Sequence, residues 1–152
     1  MANNNDQTFL EKIIVTHAGI SITILRIFIG WIFFTAGMGK LFGWSTYGGW
    51  VVTMSYLEQI GVPSPDIVIF VLSLIEFVGG FFLMAGIFVR LAAIPFLIMM
   101  TVGLATVHRY VGMQFPFLLW IASVVLLEYG GGKLSIDSIL TKMLERRMVP
   151  KV

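Results

Sequence analysis

Four long apolar blocks, at residues 20–42, 67–88, 91–107 and 115–127, decide what this chain can become. A bilayer core about 30 Å thick is crossed by roughly 20 apolar residues in a helix. In hydrocarbon, only a helix or a closed barrel satisfies every backbone polar group. The first two blocks cross comfortably and the third has about the minimum length. The fourth reaches across once Gln114, Glu128 and Tyr129 are added. The expectation is an all-α protein, an integral membrane four-helix bundle in one domain over 1–152, with spans at about 20–42, 67–88, 91–107 and 114–129. Charged residues make up 12% of the chain, about half the share in a soluble domain, so no separate soluble domain is expected among the spans.

Lys and Arg set the orientation. Lys12, Arg90, Lys133, Lys142, Arg146, Arg147 and Lys151 fall on one side, while the opposite loops hold Arg109, with Lys40 at the edge. By the positive-inside rule both termini are expected in the cytoplasm, in a multi-pass protein of the cell (inner) membrane. Residues 1–9 lack the basic start, apolar stretch and cleavage site of a signal peptide, so no processing is expected. The connection 43–66 is rich in glycine, proline and aromatics and is expected to fold onto the outer surface. Trp44, Tyr47 and Trp50 read first as interfacial anchors and second as a lid over a pocket. Ile136, Ile139, Leu140, Met143 and Leu144 recur at helical spacing with Lys142, Arg146 and Arg147 between them. That pattern predicts a C-terminal amphipathic helix, about 135–147, on the cytoplasmic face.

The chain holds no cysteine, which excludes thiolate chemistry, iron–sulfur ligation and covalent c-type haem. His17 and His108 are predicted on opposite sides of the membrane, so neither a metal site nor bis-histidine haem is expected. The formal charge of +2 is accounted for by topology. The lipid bilayer is the expected partner and nucleic acid is not.

Charges inside the spans point to chemistry. A charged residue at the bilayer centre costs roughly 2.5–3.5 kcal/mol even on lenient scales, so Arg26 in the first span and Glu76 in the second each need a partner or a water-filled cavity. Counting along the helix axes brings Arg26 within reach of Glu76 or of Glu128. Both pairings stay open, as do the readings of a structural ion pair and a functional site. Lys40 follows Arg26 by close to four turns, so one face of the first span carries two cations roughly 21 Å apart. Lys40, His108 and Arg109 form a basic mouth at the outer end, where His108 reads either as an interfacial polar residue or as a proton donor and acceptor. Gly30 and Gly37 lie on the Arg26 side. Close helix packing is the preferred reading, and room for a flat ligand the alternative. Pro95 is expected to remove a hydrogen bond from the third span, whereas Pro116 sits in the first turn of the fourth.

Leu25-Arg26, Gly30, Phe33, Gly37 and Lys40-Leu41, followed by Glu76, Gly79-Gly80 and Gly86, then Arg90-Leu91-Ala92-Ala93, His108 and Leu134-Ser135-Ile136-Asp137, resemble the DoxX family. The resemblance implies a four-helix membrane protein. Its relatives include DoxD, the large subunit of thiosulfate:quinone oxidoreductase, and proteins tied to sulfur-stress and oxidative-stress responses. Arg26, Lys40, Glu76 and His108 match the family's polar pattern. The chain is expected to be the short, single-module form without a soluble substrate domain.

Two functions follow as expectations. In the first, the chain is a quinone-linked redox subunit and a possible quinone-dependent oxidoreductase component. Arg26, Lys40 and Glu128 are then candidates for holding the quinone, and Glu76 and His108 for exchanging its protons. Lys40, His108 and Arg109 would receive a small sulfur oxyanion, and electrons would come from that substrate or from a soluble or membrane redox partner. In the second, the chain is a non-enzymatic scaffold that docks a soluble redox enzyme, or a small transporter. Self-association into a homo-oligomer is open in both.

Overall fold

Every long apolar block becomes a helix, as a hydrocarbon solvent requires of a backbone that must bond to itself. The computed structural model describes residues 18–43, 49–106, 114–132 and 134–138. Its helices are α1 (Ala18–Phe42), α2 (Trp50–Gln59), α3 (Pro65–Ala85), α4 (Val89–Thr106) and α5 (Gln114–Tyr129), with no strand among the described residues. Helices α1, α3 and α4 are long and apolar enough to cross a membrane, and α5 is a shorter apolar helix of 16 residues. At 1.5 Å per residue α5 is about 24 Å long. The architecture is that of a membrane helical bundle, and its helices begin and end within a few residues of the apolar blocks.

Local chemistry explains the boundaries. Pro65 opens α3, where a missing N–H costs nothing. At the far end Gly86 adopts a left-handed conformation, φ 75°. Its N–H bonds to the Leu83 carbonyl at 3.2 Å and the Ile87 N–H to the Phe82 carbonyl at 3.0 Å. This is a Schellman closure, and it ends α3 at Ala85, short of the expected residue 88. Helix α4 runs through Pro95 without interruption. Helix α2 lies in the connection expected to cover the outer surface, and its helical character was not foreseen. Its Leu57 is buried, and its Tyr56 hydroxyl bonds to the Thr106 hydroxyl at the end of α4.

Packing is closest between α1 and α3. A methyl group on Gly30 would lie 2.8 Å from the Gly80 carbonyl oxygen, and one on Gly37 would lie 2.8 Å from that of Ser73. These glycines are backbone-to-backbone contact points, the packing role preferred from the sequence. The contacts also fix the direction: as α1 advances from Gly30 to Gly37, its neighbour on α3 recedes from Gly80 to Ser73, so the two helices are antiparallel. Helices α3, α4, α5 and α1 then neighbour one another in a closed ring. Ile29, Phe33, Leu83, Phe96, Leu119 and Leu126 fill its centre, with the Phe33 and Phe96 rings stacked at 3.8 Å between centroids. Ile24, Phe28, Phe70, Leu91, Ile98 and Leu118 point outward and are exposed, as expected when the surrounding solvent is lipid.

Candidate functional site

The antiparallel register brings Lys40, near the end of α1, over Glu76 in the middle of α3. Lys40 Nζ lies 2.6 Å from both Oε1 and Oε2 of Glu76. Glu76 is only 5% exposed, so the pair answers the cost of a carboxylate placed in the bundle. Of the two partners left open for Arg26, Glu76 is thus paired with Lys40 instead. The position of Lys40 at the helix end places it at the outer mouth, and its ammonium is directed onto Glu76.

Arg26 belongs to the opposite end of the bundle and, among the described residues, pairs with neither Glu76 nor Glu128. Its Nη1 donates to the carbonyls of Leu83 (3.1 Å) and Met84 (3.2 Å), and its Nη2 to that of Leu134 (2.7 Å). Two of these acceptors lie in the last turn of α3, where carbonyls have no partner within the helix. The same cluster contains Asp137. Its carboxylate accepts the N–H groups of Phe88 at 2.9 Å and Val89 at 3.0 Å, capping α4 from outside the helix. The Asp137 N–H in turn donates to the Gly86 carbonyl at 3.1 Å, and the Asp137 charge attracts the Arg26 guanidinium. A side chain on Gly86 would collide with that guanidinium. The result is a clasp that ties residues 134–138 to α1 and to the α3–α4 turn.

Glu128 is exposed, and its backbone carbonyl accepts a 3.0 Å bond from Arg90 Nη2. The chain turns at Gly130 immediately after α5, which leaves the Glu128 side chain at the surface. His108 and Arg109 lie outside the described residues, as do Trp44, Tyr47 and the amphipathic helix beyond Ser138.

Between α1 and α5 a cavity of about 750 Å³ opens, with Phe28, Trp31, Thr35 and Ala36 on one wall and Phe115, Pro116 and Leu119 on the other. Ile32 and Phe33 of α1, Met100 of α4 and Glu76 of α3 also line it. Phe28, Trp31 and Phe115 are each more than half exposed, so the rim lies on the lipid-facing surface of the bundle. Glu76 is the only charged residue in the lining among the described residues, and neither Arg26 nor Glu128 is part of it. The sequence analysis had missed this aromatic wall. The available signal was the small pair Thr35-Ala36, one turn from Trp31 and two from Phe28 on the same helix.

The DoxX family model matches residues 21–109, a stretch that includes Arg26, Lys40 and Glu76. A protein of Haemophilus influenzae described as uncharacterized is 26% identical over 133 residues, covering 83% of this chain and 87% of the relative. No solved structure matches the chain.

Proposed function

The chain belongs to the DoxX family, and we propose that it is the membrane subunit of a quinone-linked redox system, serving sulfur-compound oxidation of the thiosulfate type or defence against oxidative stress. The observation that carries this reading is the cavity between α1 and α5. It is apolar and aromatic, it opens toward lipid, and its one charged group among the described residues is Glu76. Its volume lies within the roughly 300–1,000 Å³ range of sites for small molecules and cofactors, so a quinone ring fits the residues present. Bound there, a quinone supplies the two-electron carrier that a chain without cysteine lacks.

The chain's own residues have separable tasks. Phe28, Trp31 and Phe115 hold a flat ring and exclude water. Glu76 takes a proton at the inner wall, and Lys40 fixes the carboxylate by bonding to both of its oxygens. Arg26 keeps the bundle closed at the other end. His108 and Arg109 stay candidates for proton exchange and, with Lys40, for receiving a small oxyanion. Lys and Arg distribution supports cytoplasmic termini and an outer-face electron source.

The test is mass spectrometry of lipid-soluble molecules co-purifying with the protein, compared with Glu76→Gln and with an Ala36→Phe variant that fills the cavity. Stoichiometric quinone in the wild type that is lost from folded Ala36→Phe protein is the expected result. Folded wild type that carries none would turn the assignment to a scaffold for a redox partner or to a transporter.

A further inference from the structure

Resting on the quinone reading, we infer that the α1–α5 cavity is built for the reduced, hydroxyl-bearing form: it binds a quinol in preference to the corresponding quinone. The reason is the chemistry of its polar lining. Both oxygens of Glu76 accept hydrogen bonds from Lys40, so the carboxylate offers further lone pairs to the cavity and no hydrogen. Lys40 itself is not part of the lining. The Thr35 hydroxyl spends its hydrogen on its own helix, within 2.9 Å of the Trp31 carbonyl and 3.1 Å of the Ile32 carbonyl. The Met100 thioether is a weak acceptor. Among the described residues, the one side-chain donor in the lining is the indole of Trp31, and that residue belongs to the exposed rim.

A ligand head in the interior of this cavity therefore meets acceptors. The two oxygens of a quinone are also acceptors, and placing one against a carboxylate sets lone pair against lone pair. A quinol hydroxyl donates to the same carboxylate, and a hydrogen bond to a charged acceptor is among the stronger neutral-to-charged contacts available in a protein. The apolar tail leaves between the exposed rings of Phe28 and Phe115 into lipid. A site made to hydrogen-bond a hydroxyl also rejects an analogue that lacks it, because the buried partner is left unpaired.

The experiment is ligand depletion on the full chain in lipid nanodiscs, with retention by Ala36→Phe discs subtracted as lipid background. The probes are decylubiquinol against decylubiquinone under anaerobic conditions, and 4-decylphenol against 4-decylanisole as a pair that differs in the donor and undergoes no redox change. The expected result is at least about tenfold tighter retention of the hydroxyl-bearing member of each pair. Glu76→Gln should reduce the preference, since an amide both donates and accepts. Trp31→Phe, which removes the rim donor, should widen it. Equal or tighter binding of the quinone, or a preference unchanged in folded Glu76→Gln protein, overturns the quinol assignment and leaves the quinone reading standing. Retention of neither form above background overturns both.

Discussion

Leu134 receives on its backbone carbonyl a 2.7 Å hydrogen bond from Arg26, across 108 residues of chain. The same guanidinium reaches Leu83 and Met84, so one side chain joins the first span, the end of the second and the segment after the last.

Substituting Arg26 by Gln is expected to strip the Arg26 donors from the Met84 and Leu134 carbonyls and one of two donors from that of Leu83, and to leave less of a buried charge network at that end. An unsatisfied buried group costs about 1–3 kcal/mol, so two of them amount to about 3 kcal/mol. For a chain of this size that corresponds to a fall of about 10 °C in the melting temperature, measured in detergent by size exclusion after heating. Arg26→Lys should recover only part of it, because an ammonium is a point charge and cannot reproduce a fork.

Asp137→Ala removes the external cap of α4, and loss of a cap costs about 1 kcal/mol. Since Asp137 and Arg26 serve one clasp, the double variant should lose less than the sum of the single losses. Strict additivity in the same thermal assay would show that the two residues act independently.

The spans were legible in the sequence because a long apolar block has one outcome in lipid, whatever its neighbours do. The pairing of charges was not. Axial counting gave Arg26 and Glu76 compatible heights but carried no information on helix rotation, and it treated Lys40 as fixed at its own α-carbon. The two terminal nitrogens of Arg26 also turned out to bond to backbone carbonyls, which leave no mark in a residue pattern. Asp137 stood in the closing stretch that carries the family resemblance, yet as an acid outside the spans it gave no sign of reaching back to Phe88 and Val89. Helix α2 was hidden by the turn residues around it. The cavity depends on where α1 and α5 diverge, and that is a property of packing.

The Lys40–Glu76 pair is best measured as a cycle. Removing one member of a buried pair leaves an uncompensated charge and typically costs 3–5 kcal/mol, whereas replacing both with apolar groups is often neutral. Lys40→Met and Glu76→Leu should therefore each lower thermal stability strongly, and the double variant should recover most of the loss. A double variant as unstable as the worse single one would mean that the charges hold the helices in place by contacts other than their own.

Orientation can be read directly because the chain contains no cysteine, so any introduced thiol reports one position. Arg90 lies at the start of α4, on the Arg26 end of the bundle, and is exposed. Lys12, Lys133 and the basic C-terminal residues are predicted at that same end, whereas Ser55 on α2 is exposed near the other. A positive end is retained in the cytoplasm during insertion. Asn4→Cys and Lys151→Cys should thus resist a membrane-impermeant maleimide in intact cells and react after lysis, while Ser55→Cys should react in both. The reverse pattern would place the Lys40 end in the cytoplasm, and an electron donor for the Glu76 cavity would then have to be sought there.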